Sequence, residues 1–281
     1  MPEVNERTHN YDAEAMVLSG HLKLPLSQPI EPQTHSKLTA KGGYVSQRSD
    51  AYQLESVISI RSAYSHVAGN KSNKPGEGWN TMTTTVVEGL NVMEVLTADR
   101  IVGQTITHHP LKGYVPSISF LGTRFENLRI AGIPVELEWD QEIFGSTPVN
   151  DVSYALDPGV LSRVSRQYDR ILQNKNLPAA LQERYNQLSS TLGSAEAVEC
   201  SLVNRVSGLF PGTIAGNMVT IPGFGTITLA KLTVKHEEPI ESAKTHKKTT
   251  FTLTMIDLNL GCVIEGLMSI GGGTSNGDSV P

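Results

Sequence analysis

Residues 83–139 decide the fold, and they read TTTVVEGLNVMEVLTADRIVGQTITHHPLKGYVPSISFLGTRFENLRIAGIPVELEW. β-branched residues are dense throughout this stretch, which is typical of strands. In its last part apolar residues recur at every second position, with one slip at Gly132; they are Leu128, Ile130, Ile133, Val135, Leu137 and Trp139. Side chains two positions apart on a strand share a face. The pattern therefore predicts a half-buried strand pair with a turn or bulge at the glycine.

The rest of the chain extends this β character. Its 281 residues include 25 glycines and 15 prolines, a balance that suits many turns rather than long helices. Ten or more short alternating segments separated by glycine-marked turns predict a mainly β fold, either a large antiparallel sandwich or a distorted barrel. A β-helix is the alternative, because its coils also alternate.

One segment breaks the β pattern and predicts a helical hairpin at residues 158–193. Apolar residues at helical spacing begin at Val160 and Val164, and Asp157-Pro158 supplies a cap and a first-turn proline. We expect this hairpin to be an accessory insert on one β-rich domain that spans residues 13–270. Residues 1–12 are expected to form a flexible arm, and the glycine-rich residues 271–281 a flexible tail.

Charge and hydropathy exclude several classes of function. The net charge of −5 and the absence of a broad basic segment argue against nucleic-acid binding. No apolar run is long enough to span a membrane. The polar, acidic N-terminus does not resemble a secretory signal, so we expect a soluble cytoplasmic protein. The alternative is an extracellular or cell-surface location if a signal has been removed.

The sequence does not identify a catalytic residue. The nucleophile motif Gly-x-Ser-x-Gly is absent, and Cys200 has acidic neighbours that would raise its thiol pKa. Cys200 and Cys262 show no metal-binding spacing and are interpreted as two buried reduced thiols, in preference to one disulfide.

Four short segments resemble bacterial choice-of-anchor P surface proteins. They are residues 87–92 (VEGLNV), 95–102 (VLTADRIV), 125–135 (FENLRIAGIPV) and 221–229 (IPGFGTITL). The remainder is similar to uncharacterised proteins of acidobacteria. The resemblance involves strand and turn residues, and it implies an all-β fold related to exported, cell-surface or matrix proteins. The chain departs from that group in lacking a signal, an anchor and alanine/serine-rich strands, and the resemblance transfers no site residues.

Histidines near strand ends suggest a metal site. His66, His108, His109 and His236 would form one if those strand ends meet, because zinc accepts nitrogen and oxygen ligands. Adjacent strand residues point to opposite faces, so at most one of His108 and His109 would enter the site. We favour four ordinary surface or turn histidines with no cofactor, and the metal site is the alternative.

A second candidate site combines carboxylates and aromatic rings. Glu136 and Glu138 share one strand face beside Trp139, and paired carboxylates are what glycoside hydrolysis needs. Trp79 and Tyr64 could stack on a sugar ring. The alternative is that Glu136 and Glu138 form the solvated face of an amphipathic strand.

Our leading interpretation is a non-catalytic β-domain that acts in binding or self-assembly as a homo-oligomer. Residues 249–260 (TTFTLTMIDLNL) carry one charge and no proline, so this strand must be central or paired with another chain. The alternatives are a hydrolase acting on a carbohydrate or ester, with metal assistance as an option, and a carbohydrate-binding module.

Overall fold

The computed structural model describes residues 8–24, 27–74, 77–194, 196–237, 248–261 and 264–280. Strands dominate these residues, and two consecutive helices interrupt them. In chain order the elements are β1 Thr8–Leu24, β2 Gln28–Ile30, β3 His35–Lys37, β4 Gly43–Ser49, β5 Tyr52–Leu54, β6 Ile58–Ile60, β7 Ser62–Lys71, β8 Trp79–Val92, β9 Leu96–His109, β10 Ser117–Ser119, β11 Arg124–Glu126, β12 Arg129–Ile130, β13 Ile133–Pro134, β14 Glu136–Trp139, α1 Pro158–Leu172, α2 Ala179–Thr191, β15 Ala197–Ser201, β16 Val203–Ser207, β17 Thr213–Ala215, β18 Met218–Ile221, β19 Gly225–Glu237, β20 Lys248–Leu260 and β21 Glu265–Val280.

Two large antiparallel sheets form the molecule. The first sheet has the order β17-β18-β19-β20-β21-β1-β2, with β15 paired to β19 and β3 to β1. The second sheet has the order β13-β12-β9-β8-β6-β5; β7 joins β8 to β4, and β10 and β11 pair with β9. Strands β1 and β21 of the first sheet lie against β8 of the second. In the described part of the chain neither sheet closes on itself, so the mainly β sandwich is confirmed in preference to the distorted barrel and the β-helix.

The stretch at residues 83–139 forms the middle of the second sheet. β8 and β9 pair over their full length, with Val87 opposite Ile101. The predicted turn at Gly132 is also confirmed. β12 and β13 are joined by Ala131 and Gly132, whose φ angles of 50° and 75° suit the tight turns that connect twisted antiparallel strands. β14 then leaves the sheet and pairs with β16 as a separate two-stranded ribbon.

The interior of the sandwich contains a polar layer between two apolar clusters. The main core draws on both sheets, and the smaller one consists of Tyr11, Ala13, Ala15, Leu38, Val67 and Trp79. Between them the inner face of β8 carries the buried threonines Thr81, Thr83 and Thr85. Thr107 in β9 and Ser275 in β21 hydrogen-bond across the sheets at 2.8 Å. Thr107 and Ser275 thereby satisfy each other, as most buried polar groups do, whereas the buried Oγ1 atom of Thr81 has no hydrogen-bond partner among the described residues.

Flexible ends were expected, whereas the described residues at both ends of the chain lie in strands. Residues 8–12 begin β1, and residues 271–280 complete β21, which pairs with β1 as far as Val280. The glycines serve close packing rather than flexibility. A Cβ atom at Gly273 would lie 2.8 Å from Oγ1 of Thr83 in the facing sheet. Residues 1–7 and 281 lie outside the described residues.

The helical hairpin occupies the predicted segment, but α1 is not an accessory element. Asp157 caps α1, because its Oδ1 accepts a hydrogen bond from the Val160 amide at 2.9 Å. The buried side of α1, which includes Val164 and Ile171, belongs to the main core. α2 contributes one fully buried residue, Tyr185. The apolar stripe of α1 therefore completes the core instead of resting on it.

Strand β20 contains residues 249–260 and is central. It pairs with β19 on one side and with β21 on the other. Of the two explanations for its low charge, the central position is therefore the one observed, and its edges offer no site for a second chain.

Neither α1 nor α2, the two helices of the described residues, has the length and hydropathy needed to cross a bilayer. Cys200 is a free, buried thiol, in agreement with the interpretation of a reduced cysteine. Cys262 lies outside the described residues.

Candidate ligand-binding groove

The four predicted metal-site histidines do not meet. His109 faces the interior, whereas His108 faces the other side of the sheet and hydrogen-bonds through Nδ1 to Asn80 Oδ1 at 2.7 Å. His66 lies beneath Tyr44, with ring centroids 4.4 Å apart. His236 is in the first sheet, where its Nδ1 hydrogen-bonds to Thr249 Oγ1 at 3.1 Å. Among the described residues no three His, Cys, Asp or Glu side chains form a group that could hold a metal ion.

His109 belongs to a buried aromatic cluster. Its ring lies 4.5 Å from that of His9, which stacks on Trp79 at 5.1 Å and contacts Tyr11 edge-on at 4.7 Å. The pKa of His109 is lowered to about 3, mainly by burial and in addition by the charges of His9 and His108. His109 is therefore neutral near pH 7 and acts as a packing residue.

The predicted aromatic ligands are also engaged in packing. Trp79 is only 5% exposed, so its ring is not available to stack on a sugar. Trp139 stacks on Phe125 at 5.8 Å. Tyr64 is half-buried beside His66, with ring centroids 6.3 Å apart. Glu136 is exposed at the start of β14, so the solvated-face interpretation describes it well.

Glu138 has a different setting, because it lines a groove of about 760 Å³. The groove lies between the C-terminal end of α1, the β14–β16 ribbon and β17. Its walls carry charged, amide and small residues; they are Glu138, Arg170, Gln173, Asn174, Asn204, Arg205, Val206, Ser207, Gly208, Ile214, Ala215 and Gly216. This is the only site at which a predicted ligand residue lines a described cavity of this size.

Two arginines converge on Glu138. Arg205 lies opposite Glu138 in the β14–β16 ribbon, and its Nε is 3.4 Å from Glu138 Oε2. Arg170 comes from the last turn of α1, and its Nη1 is 3.8 Å from Glu138 Oε1. About half of the Glu138 and Arg170 side chains and two thirds of Arg205 are exposed. The three charged groups can therefore reach a ligand in the groove.

The amides of the groove are held by hydrogen bonds. Asn204 Oδ1 accepts from Nε2 of the buried Gln167 at 2.9 Å. Gln167 is fixed in turn, because its Nε2 also donates to the Ser201 carbonyl at 2.9 Å and its Oε1 accepts from the Ser201 amide at 3.1 Å. Asn174 Nδ2 donates to the Ile214 carbonyl. Polar groups held by neighbours in this way lose little freedom when a ligand binds.

Most residues of the groove were not predicted from the sequence. Arg170, Asn204 and Arg205 come from segments that meet only when α1 packs and β16 pairs with β14. One feature of the sequence could have indicated Arg205. In the short segment VNRVS it is the charged residue between Val203 and Val206, which are both buried. Arg205 is the exposed residue of this strand, and it pairs with Glu138 on the neighbouring strand.

Residues with strongly shifted pKa values lie elsewhere, in the core. Burial raises the pKa of Tyr154 to about 12. Burial also raises the pKa of Tyr168, Tyr185 and Cys200, and Glu199 adds to the rise in each case. The Cys200 thiol is thus protonated, in agreement with the expectation of a poor nucleophile. The space beside these three residues is about 10 Å³, which is about the size of one water.

Comparison with known proteins gives one family. The family model described as Domain of unknown function (DUF8256) matches residues 9–235, a range that includes the groove. No curated protein and no solved structure matches the chain.

Proposed function

The chain belongs to the DUF8256 family, and on that premise we propose that it is a non-catalytic β-sandwich protein that binds a hydroxyl-rich ligand, a carbohydrate, in the groove beside Glu138. The observation that carries the proposal is the chemistry of the groove walls. Guanidinium, carboxylate and amide groups line them together, so hydrogen-bond donors and acceptors alternate over a short distance. A polyol needs both kinds of partner.

The dimensions of the groove support a small ligand. Its volume of about 760 Å³ falls within the range of typical ligand sites, about 300–1,000 Å³. Leu209, next to Gly208, is 91% exposed and offers an apolar contact beside the polar walls.

The positions of the residues whose pKa values are strongly shifted favour binding over catalysis. Active sites concentrate residues whose pKa values are shifted toward their task. Here His109, Tyr168, Tyr185 and Cys200 have large shifts that come mainly from burial in the core, and none of the four lines the groove. A hydrolase acting on a carbohydrate or ester is the competing prediction.

The test is a binding measurement with a variant that fills the groove. Calorimetric titration with a panel of plant and bacterial oligosaccharides should identify a ligand of the wild-type protein. Ser207→Trp places a large ring on the groove wall and should weaken binding by about tenfold or more, equivalent to about 1.4 kcal/mol. Ser59→Trp, at a half-buried serine of β6 outside the groove, should bind as the wild type does.

Two results would overturn the proposal. One is equal binding by the Ser207→Trp and Ser59→Trp proteins, which would place the ligand outside the groove. The other is release of new reducing ends from a bound oligosaccharide, which would establish the hydrolase.

A second candidate function is self-association, and one observation favours it. Strand β4 pairs with β7 along its seven residues, and among the described strands β7 is its only partner. Most of β4 is exposed, it contains no proline, and its single charged residue is Arg48. Edges with so little protection are suited to adding a strand from another copy.

A further inference from the structure

Resting on the proposed function, we infer that the groove selects an acidic sugar, whose carboxylate takes the place of Glu138 between Arg170 and Arg205. The uronate residues of an acidic polysaccharide have the required chemistry, since they combine one carboxylate with several hydroxyls.

The geometry of the three charged groups supports this inference. Nε of Arg205 and Nη1 of Arg170 lie 3.4 Å and 3.8 Å from the two oxygens of one carboxylate. A guanidinium group has five N–H donors, so one carboxylate uses only part of the capacity of two arginines. Arginine is well matched to carboxylates because its planar fork can bind both oxygens. The site therefore already holds a carboxylate, and it belongs to the protein itself.

The charge balance favours a ligand that presents one carboxylate to the groove wall. Two guanidinium groups and one carboxylate leave a charge of +1 on the groove wall, in a chain whose net charge is −5. The C-terminal end of α1 lies at the groove and carries a partial negative charge. Arg170 is in the last turn of that helix and offsets it. The positive charge is thus confined to this wall, and one carboxylate of the ligand neutralises it.

Displacing Glu138 costs little. Its ion pairs with Arg170 and Arg205 join side chains that are about half exposed or more. Ion pairs at such exposure contribute little stability because water screens them. Glu138 can turn toward solvent, which frees both guanidinium groups for the carboxylate of the ligand. The amides of Asn174 and Asn204 stay fixed beside them through their own hydrogen bonds.

The experiment compares one sugar backbone with and without its charge. Calorimetry would use trigalacturonate and its full methyl ester, which differ only in the ionised carboxylates. We expect the acid form to bind wild-type protein at least about tenfold more tightly, with a preference that decreases as salt is added. Arg170→Gln and Arg205→Gln should each remove most of this preference. Glu138→Gln should increase affinity for the acid form, because it removes the competing carboxylate.

The chain offers a matched control for these variants. Arg124 and Glu126 form an ion pair of similar exposure at 2.8 Å on the second sheet. Arg124→Gln and Glu126→Gln should leave both affinities unchanged. Thermal melting of every variant establishes that a loss of binding is not a loss of folding.

The outcomes separate the two proposals. Equal binding of acid and ester, or weaker acid binding by Glu138→Gln, would overturn the inference and leave carbohydrate binding intact. Acetate that competes as well as trigalacturonate would show that a free carboxylate suffices and would overturn the acidic sugar. If neither the two probes nor the oligosaccharide panel binds, the groove does not bind carbohydrate and both proposals fail.

Discussion

The residue His109 shows how burial changes a titratable group. It is 3% exposed, and burial lowers its pKa to about 3. An unfolded chain would expose it to water with a pKa of about 6.5. The unfolded state therefore takes up a proton before the folded state does, and the contribution of this residue to stability is present above about pH 6.5 and lost as pH falls toward about 3.

We expect this loss to be measurable as a slope of the free energy of unfolding against pH. Between about pH 6.5 and pH 4 the wild-type protein should lose up to about 1.4 kcal/mol of unfolding free energy per pH unit through this residue. His109→Phe keeps a ring against His9 but takes up no proton, so its slope over that window should be shallower. Urea unfolding at a series of pH values measures both.

The exposed His21 provides the control. His21→Gln should keep the wild-type slope, since that side chain is exposed at the surface. Parallel slopes for the wild type and His109→Phe would contradict the prediction.

Individual residues were the hardest feature to predict from the sequence. The alternation of residues 128–139 indicated which side chains share a face. Alternation of this kind does not indicate whether a face meets water or the other sheet. For the same reason Trp79 in β8 and His109 in β9 were assigned to sites, although both are buried. Glu138 was identified, but its partners Arg170 and Arg205 lie in distant segments. A pattern within one strand carries no information about the element packed on it.

At the level of elements, α1 is the best test of how the core is assembled. Its residue Ile171 is 3% exposed and packs in the main core, next to Gly216 of the groove. Ile171→Ala should reduce the free energy of unfolding by roughly 2–5 kcal/mol, the usual cost of truncating a buried isoleucine. Denaturant unfolding of the full-length variant measures it.

Leu181 of α2 is a matched comparison, because it lies in the same hairpin and is only half-buried. Leu181→Ala should cost clearly less than Ile171→Ala. Equal and small losses for both variants would show that the hairpin is accessory after all.

Elements were predicted well where periodicity is local. The helical spacing from Val160 onward located the hairpin, and the glycine slip located the β12–β13 turn. A flexible tail was predicted because glycine was taken as a sign of flexibility, whereas residues 271–280 lie in β21. Gly271 has a φ of 69° and packs against Met255, and Gly273 lets β21 approach Thr83. Tertiary packing decides such cases, and it is not visible in composition.

For the whole molecule, the sequence predicted the sheets but not which strands lie at their edges. Residues 249–260 were expected to be central or to join another chain, and the structure makes them central. Among the terminal strands of the described residues, β4 is a long and mostly exposed one, and its composition of small and polar residues has no distinctive strand pattern. Self-association is therefore best tested at β4.

If two copies pair through β4 about a two-fold axis, its middle residue, Ser46, lies opposite its own copy. Ser46→Lys would then place two positive charges directly opposite each other, which destabilises a strand pair. We expect wild-type protein at micromolar concentration to contain a dimer that this variant lacks, as measured by light scattering or native mass spectrometry. Ser190→Lys, on the exposed side of α2, should dimerise normally, and a monomeric wild type would refute self-association at this edge.

The position of β21 has a consequence for the order in which the protein can be made. β21 lies between β20 and β1, and it joins the N-terminal strand to the rest of the first sheet. Thr8 pairs with Val280, almost the full length of the chain apart. A ribosome that has not yet translated residue 265 therefore holds a nascent chain in which β1 and β20 have no strand between them. The second sheet can form during translation, but the first sheet is completed only after β21 has been synthesised.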